Sequence, residues 1–594
     1  MDPADTLHHQ HLENLTVGLS PEEIQRIRSV GQRVEARAGQ KIFHPGEIAG
    51  NMYVVVHGLL KVLFHEDDSN RPSGYLRPGD HFGAAAILVA GRRVMTVQAV
   101  TDVVLLDIAR ADFEHLVQTI PMFAANLCRS LADWLIRKID GQNLRGYPHA
   151  VALLRTTPRT HGLAPQIVAA LGVTEERILV VTDRPNAWAE VKCDVHPLVV
   201  HGEGDGQLDS FLQPIIAALE AGGRVFVDLP AERIPPAWIA HFEETWLLLE
   251  SGREAVPAVD RLLRPAPVLA ERLRVIWLVP ADEQLPPVAP HGLELAARQF
   301  RVQMEGADAA ARARPGCLAR LAHLLQGIHL GLALGGGGAL GAAHIGVIQA
   351  LNRAGIYFDR VAGTSIGSVV AAVYAAGFSA DTIGRFFLED MRPPRLVRYL
   401  PKGNLWYMLA HYRFGWFEAK LRRHLFRYTF DQLLLPLHTV TADLQSGLEV
   451  IREEGDVTRA VLESINLPGA AAPIRRDGQV LVDGSVLNNV PADVLRARQA
   501  DFVVASNVLT ELNTEVGTHV WEVMLRIMEV QLRRLVVART PAIDVIVTPK
   551  LAAFRFEDFS RSAALIEAGE QAGEQMIPEI RRKLAALRGL RDPG

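Results

Sequence analysis

Short apolar runs broken by turn residues dominate the first 140 positions. Runs at 52–56, 59–64, 94–100 and 103–108 are separated by Pro45-Gly46, His57-Gly58 and Pro78-Gly79-Asp80. That spacing predicts the strands of a small β-roll. A helix is predicted to open at Ser20-Pro21-Glu22-Glu23, where serine caps free amides, proline suits the first turn and the acids face the positive helix end. A second helix, about 113–139 with a break near Pro121, closes the unit. Between 148 and 320, apolar runs at 150–154, 178–181, 198–200, 224–227 and 273–279 alternate with helical stretches. Such alternation predicts βαβ units on a parallel sheet. The proline-rich stretch 257–290 predicts turns. No glycine loop follows a strand in this segment, and His161, His196, His201 and His241 lack metal-ligand spacing, so no chemistry is assigned to it.

Chemistry concentrates further on. A buried strand at 328–334 runs into Gly335-Gly336-Gly337-Gly338-Ala339-Leu340-Gly341 and a helix over 342–353. A glycine-rich strand-to-helix turn presents backbone N–H groups at a positive helix end and cradles anions. Gly336-x-Gly338-x-x-Gly341 also fits a dinucleotide fingerprint. However, the acid that this would require, Asp359, precedes the next strand (360–362) and falls at the wrong sheet edge for an oxidoreductase. A Walker loop is excluded because no Gly-Lys-Ser/Thr follows. The strand at 360–362 leads into Gly363-Thr364-Ser365-Ile366-Gly367 and an apolar helix over 368–376. Gly-x-Ser-x-Gly in that setting is a nucleophile elbow, in which Gly363 and Gly367 allow the turn that exposes Ser365. Alone it equally describes a glycine turn with a capping serine. Two consecutive strand ends, however, deliver both loops to one edge of a parallel sheet, where such folds bind ligands.

A serine nucleophile needs a base. Of the histidines at 411, 424, 438 and 519, only His519 follows the best acid candidate, and its surroundings read as a helix approach. That acid, Asp483, ends the apolar run 479–482 and precedes Gly484. Asp-Gly is commonly only a turn, but its place after a strand in a chain with an elbow and a cradle makes it the candidate base.

Composition narrows the classes. The 594 residues suggest about four folding units. Apolar residues at 49% and charged residues at 22% are ordinary globular usage. A net charge of −5 gives no overall field for nucleic acid. Three well-separated cysteines, Cys128, Cys193 and Cys317, exclude a disulfide framework and a Cys-x-x-Cys pair, which suits a reducing compartment. The first twelve residues lack an apolar core, so no signal peptide is expected. The runs 330–351 and 361–378 are broken by glycines, so no transmembrane helix is expected either. The expected location is cytoplasmic, or peripheral on the cytoplasmic membrane face.

Two resemblances follow from these residues. Phe43-His44-Pro45-Gly46-Glu47, the run Met52 through Gly58, Pro78-Gly79-Asp80-His81-Phe82-Gly83 and the stretch 93–99 resemble a cyclic-nucleotide-binding domain. The resemblance makes Arg93 the candidate contact for a nucleotide phosphate. Ala84 stands where the family has a ribose-binding glutamate, and Met95 replaces a small residue, so a regulatory or docking module without ordinary cyclic-nucleotide affinity is expected. The glycine loop, the elbow, Asp443 in Thr441-Ala442-Asp443-Leu444-Gln445-Ser446-Gly447, and Asp483-Gly484-Ser485-Val486-Leu487-Asn488-Asn489-Val490-Pro491 resemble the patatin-like phospholipases. The order of units is similar to a short relative of neuropathy target esterase.

The resemblance implies a multidomain chain. It has a β-roll with flanking helices (12–140), an α/β intermediate domain (148–320) and a three-layer α/β patatin-like catalytic domain with a C-terminal helical extension (328–590). It implies a Ser365–Asp483 dyad without histidine, metal or calcium, and an oxyanion hole from the amides around Gly336, Gly337 and Gly338. Gly341, Gly363, Gly367 and Gly484 are the remaining motif glycines. The implied activity is a lysophospholipase or phospholipase A acting on phospholipid or lysophospholipid at a membrane surface, with no nucleic-acid partner; a homo-oligomer is compatible with the sequence but not specified by it. The alternative is a catalytically weakened lipid-binding or regulatory scaffold. Two departures bear on it: Leu340 stands where the family commonly has Arg or Lys, and Ser485 replaces its Gly or Ala. An aromatic concentration at 404–417, followed by Lys420, Arg422, Arg423 and Arg427, suits core packing or else an acyl-pocket wall or interfacial surface.

Overall fold

The computed structural model describes residues 19–591 except 64–73, 77, 90, 129–148, 173–176, 199–204, 222, 240–241, 251–272, 281–297, 307–310, 401–402, 414 and 510–519. The chain divides into two compact units. The first holds the described residues up to Pro280 with 298–300 and 304–312; the second holds 301–303 and everything from Ala313 onward.

In the first unit, α1 (Pro21–Val30) starts where the sequence places it. The Glu23 amide donates to Ser20 Oγ at 3.2 Å and the Ser20 amide to Glu23 Oε2 at 2.7 Å, a reciprocal capping box. The roll then follows through β1 (Gln32–Ala36), β2 (Lys41–Phe43), β3 (Asn51–His57), β4 (Leu60–Leu63), β5 (Gly74–Leu76), β6 (His81–Phe82), α2 (Ala84–Leu88), β7 (Thr96–Ala99), β8 (Val103–Ala109) and α3 (Arg110–Thr119). Its two four-stranded sheets have the orders β1-β8-β3-β6 and β2-β7-β4-β5. Helix α3 ends before Pro121, as expected, and helix resumes over 121–128; the expected continuation to 139 lies outside the described residues.

The same unit holds, apart from Arg301–Gln303 and Ala313, an eight-stranded sheet of β9 (Ala150–Arg155), β10 (Ile178–Thr182), β11 (Asp194–Pro197), β12 (Arg224–Pro230), β13 (Glu244–Glu250), β14 (Leu273–Pro280), β15 (Arg298–Glu305) and β16 (Arg312–Ala313). Its order is β11-β10-β12-β9-β13-β14-β15-β16, and the pairs from β11 to β14 are parallel, as expected. A strand stands just before the run expected at 198–200, at β11; 199–200 lie outside the described residues. Leu59 of the roll is buried in the core under this sheet, and Thr101 Oγ1 donates to Glu220 at 2.7 Å.

The second unit is built on β17 (Leu330–Leu334), β18 (Arg360–Thr364), β19 (Leu437–Asp443), β20 (Glu449–Arg452), β21 (Ile474–Arg476), β22 (Gln479–Asp483), β23 (Phe502–Ser506) and β24 (Val545–Val547). The order is β21-β22-β19-β18-β17-β23-β24, with β20 pairing β19. Alternate residues enter two different cores: Leu332, Val361, Phe502 and Val504 one, Ala333, Ala362, Val503 and Ala505 the other. Period-2 burial on both faces is the mark of a sheet between two helical layers. The helices that bear on the site are α4 (Ala342–Arg353), α5 (Ile366–Ala375), α6 (Ala380–Asp390), α7 (Arg395–Tyr399), α8 (Gly403–Arg413), α9 (Trp416–Leu425), α10 (Val457–Ser464), α11 (Val520–Arg539) and α12 (Ser562–Arg591). The C-terminal extension is integral to this unit. Helix α12 lies so close to α4 that a Cβ on Gly346 would meet Ile566 O at 1.8 Å and one on Gly569 would meet Ala343 O at 1.9 Å.

Candidate active site

Strands β17 and β18 are parallel neighbours with Leu334 opposite Gly363, so the glycine loop and the elbow leave from the same sheet edge. Helix α5 begins directly after Ser365 rather than at 368, which brings its positive end to the serine. Ser365 has φ 53° and ψ −129°, a strained conformation for a residue with a side chain. Glycines make the turn sterically feasible: a Cβ on Gly363 would meet Gly367 O at 2.5 Å, and one on Gly367 would meet Leu334 O at 2.3 Å. Hydrogen bonds hold the strain. The Ser365 amide donates to Ser464 Oγ at 3.0 Å, Ser464 Oγ donates to Val440 O at 2.6 Å, and Thr364 Oγ1 donates to Asn488 O at 2.8 Å.

Strand β22 runs antiparallel to β19, yet its end arrives beside the elbow. On β19, Val440 pairs with Thr364 and the next residue, Thr441, pairs with Asp483. Ser365 and Asp483 thus follow from adjoining register positions of one strand. Gly484 makes this turn possible, since a Cβ there would sit 2.2 Å from Val440 O. Asp483 is fully buried, and its Oδ1 accepts the Ser485 amide at 2.8 Å. Oδ2 has no aligned hydrogen-bond partner. Burial pushes the carboxyl up to about 6, against the pull of the Ser365 hydroxyl and of the Ser485 amide and hydroxyl.

The glycine loop lies against the nucleophile. A Cβ on Gly336 would fall 3.0 Å from Ser365 Cβ and 2.7 Å from Asn489 Oδ1. The Gly336 amide is already engaged, donating to Asn489 O at 3.2 Å, and those of Ala339 and Leu340 donate to Phe556 O and Gly337 O. Among the described residues, the Gly337 and Gly338 amides are left without a partner. Gly338 has φ +57° and a Cβ there would meet the Phe556 ring at 2.7 Å, while Gly341 leaves room for Ile366.

His344, which sequence reasoning passed over, braces the loop from beneath. It is fully buried, with Nε2 donating to Gly335 O at 2.8 Å and Nδ1 facing Ser506 Oγ at 2.8 Å. A carbonyl only accepts, which places the proton on Nε2. Burial pushes this histidine down to about 4, so it is neutral near pH 7. The available signal was a lone histidine among the apolar residues of α4, because a buried polar group must find partners.

Other candidates fall elsewhere. Asp359 accepts the Leu330 amide at 2.6 Å at the amino edge of β17, the wrong edge for a dinucleotide ribose. Asp443 accepts from Ser446 and the Gln445 and Val480 amides, and these bonds hold it down to about 2. It braces the turn after β19. Leu340 is buried in the core. His411 lies among Tyr407, Trp416 and Phe417, His424 pairs with Asp390 and His438 with Glu453; His519 lies outside the described residues. In the roll, Arg93 is buried. Its guanidinium donates to Gly83 O at 2.8 Å and Asn51 O at 2.5 Å and stacks 4.2 Å from the centre of the Phe43 ring. Ala84 is buried at the start of α2 and supplies no acceptor. Among the described residues, no group of His, Cys, Asp and Glu could hold a metal ion, and no helix is long and apolar enough to cross a membrane.

An elbow serine, a buried carboxyl and amides without a partner among the described residues thus meet at one sheet edge. The patatin-like phospholipase model matches residues 332–496 and the cyclic nucleotide-binding domain model matches residues 33–120. The chain thus carries a patatin-like phospholipase domain behind a cyclic nucleotide-binding domain, and it is a lipid hydrolase of the carboxylic ester class. It is 27% identical over 499 residues, 81% of this chain and 76% of the other, to an uncharacterized NTE family protein of Mycobacterium tuberculosis. It is 30% identical over 287 residues, 43% of this chain and 21% of the other, to patatin-like phospholipase domain-containing protein 6 of Mus musculus. Similarity to patatin-like phospholipase domain-containing protein 7 of Rattus norvegicus is 23% over 655 residues, 94% of this chain and 47% of the other.

Proposed function

We propose that the chain is a lysophospholipase or phospholipase A that cleaves single acyl esters of membrane lipids through Ser365 and Asp483. The observation that carries the reading is that Thr364, directly before Ser365, and Asp483 pair with adjoining residues of β19, beside two glycine-loop amides without a partner among the described residues. Asp483 takes the Ser365 proton as Oγ attacks the ester carbonyl, and the Gly337 and Gly338 amides hold the resulting oxyanion. The protonated Asp483 then gives its proton to the leaving glycerol oxygen, and Ser365 keeps the acyl group. In the second half, Asp483 takes a proton from water, the hydroxide attacks the acyl-serine, and fatty acid leaves as Ser365 regains its proton. Each oxyanion donor is worth roughly 10²–10³ in rate. A carboxylate with an ordinary pKa is a weak base; burial of Asp483 raises its basicity toward the working pH.

The mechanism calls on neither calcium nor another cofactor. Arg93 is consumed by backbone carbonyls and Phe43, which supports a roll that regulates or docks without cyclic nucleotide. Hydrolysis of a panel of lysophospholipids and diacyl phospholipids, with and without cyclic AMP and cyclic GMP and with Ser365→Ala as the blank, tests the assignment. Turnover in the wild type alone, unaffected by either nucleotide, is expected. The burial of Leu340 in place of a family cation favours the scaffold alternative, which failure to hydrolyse that panel together with binding to liposomes would select.

A further inference from the structure

We propose that α7, α8 and α9 form a docking face for the surface of an anionic phospholipid bilayer, which deepens the lipid-hydrolase reading by assigning the protein's route to its substrate. Exposed large apolar side chains concentrate here: Leu396 is 84% exposed, Tyr399 88% and Trp406 63%, with Leu400 and Trp416 also exposed. Large exposed apolar groups that gather on one surface mark an interaction site, whereas scattered ones need no explanation. These are gathered. The Tyr407 hydroxyl on α8 donates to the carbonyls of Asp390 and Arg392 at 3.4 Å, Lys420 on α9 donates to Tyr407 at 2.9 Å, and the His411 ring meets Trp416 at 5.3 Å.

Charge selects the occupant. Between 385 and 427, the exposed charged residues with described side chains are Arg385, Arg392, Arg395, Arg423 and Arg427 against Glu389 and Glu418. The one acid at the centre, Asp390, is spent on Arg423 at 2.6 Å and His424 at 2.5 Å. Arg392, Arg395 and Arg427 have no acidic partner among the described residues. Trp and Tyr that prefer the headgroup level, Leu that enters the acyl boundary and unpaired Arg form the composition of an interfacial surface. Phe417 and Leu421 of α9, with Met391 just after α6, close an apolar recess against Val369 and Val373 of α5, the helix that begins directly after Ser365. α9 thus joins the proposed face on one side to an apolar recess against α5 on the other.

The test is co-sedimentation of the full chain with vesicles of phosphatidylcholine alone and of phosphatidylcholine with phosphatidylglycerol. Preferred binding to the anionic vesicles, weakened by added salt, is expected. Arg392→Gln, Arg395→Gln and Arg427→Gln should each cost roughly fivefold in partitioning to anionic vesicles. The triple variant Leu396→Ser/Tyr399→Ser/Trp406→Ser should lose binding to both kinds of vesicle, with hydrolysis of a soluble short-chain ester unchanged. Wild-type binding that survives the triple substitution would overturn the proposal, as would no vesicle binding at all. A dimer in sedimentation velocity that the triple variant abolishes, without vesicle binding, would assign the face to a second copy instead. Vesicle binding through these residues by a wild type that cleaves no lipid would sink the enzymatic reading and leave the docking face standing.

Discussion

Gly336 approaches Ser365 so closely that a Cβ on the glycine would lie 3.0 Å from the serine's own Cβ. The glycine loop and the elbow are therefore packed surfaces whose spacing is set by the absence of one methyl group. Gly336→Ala must push apart the loop, Ser365 or the Asn489 amide oxygen 2.7 Å away. A displacement of this size at reacting atoms costs roughly 10² in rate. The expected outcome is a kcat lowered by about that factor with KM little changed, measured on a lysophospholipid; wild-type kcat would show that the loop does not serve the reaction.

On the proposed mechanism the ionised form of Asp483 is the active base. With its carboxyl pushed up to about 6, kcat/KM should rise with pH through that region and level off above it. Ser485, the departure from the family's Gly or Ala, donates its amide at 2.8 Å and its hydroxyl to this carboxyl, and so favours the charged form. Ser485→Ala removes the hydroxyl only. Its acidic limb should move to higher pH, and an unmoved limb would separate Ser485 from the base.

The same burial has an opposite sign for stability. The folded chain binds a proton at Asp483 up to about pH 6, whereas the unfolded chain releases it near 3.8. Stability therefore falls as pH rises from about 4 to 6, and the full cost, on the order of 3 kcal/mol at most, stands above that window. Asp483→Asn keeps an acceptor for the Ser485 amide and removes the charge. Thermal melts should show the variant more stable than wild type at pH 7.5 and level with it below pH 4, with hydrolysis abolished.

Gly346 and Gly569 let α4 and α12 touch backbone to backbone, with 1.8 Å and 1.9 Å left for a Cβ. Gly346→Val should destabilise the protein by roughly 1–3 kcal/mol or more, read as a lower denaturation midpoint. It should also lower activity, because α4 begins directly after the glycine loop.

In the roll, Arg93→Ala removes two donors to backbone carbonyls and the stack on Phe43. The expected outcome is a less stable protein whose hydrolysis remains indifferent to cyclic AMP and cyclic GMP. Isothermal titration showing cyclic-nucleotide binding by the wild type and none by the variant would restore the phosphate-binding role.

The elbow, the glycine loop and Asp483 were legible in the sequence because each is a local pattern whose spacing carries its geometry. Helix α4 spans 342–353 as expected, and the strand before it is one residue pair from its expected start. What joins these pieces was not legible. The antiparallel entry of β22 beside β19, the Ser464 hydroxyl beneath the elbow and the Asn489 carbonyl that occupies the Gly336 amide are contacts between residues far apart in the chain. Local periodicity contains no information about them. Strand β13 was missed since its apolar part, Trp246-Leu247-Leu248-Leu249, is a short continuous run of a kind that a buried strand and a buried helix share. Helix α12 read as an appendage because its glycines declare a helix crossing only once α4 is beside it.

The central claim is that Ser365 is the nucleophile and that Asp483 activates it. Labelling of the full chain with a fluorophosphonate probe, followed by mass spectrometry of the intact protein and its peptides, tests it most directly. One adduct per chain on the peptide containing Ser365 is expected, absent in Ser365→Ala and much slower in Asp483→Asn. An adduct on another residue, or Ser365→Ala that still hydrolyses lysophospholipid, would contradict the claim.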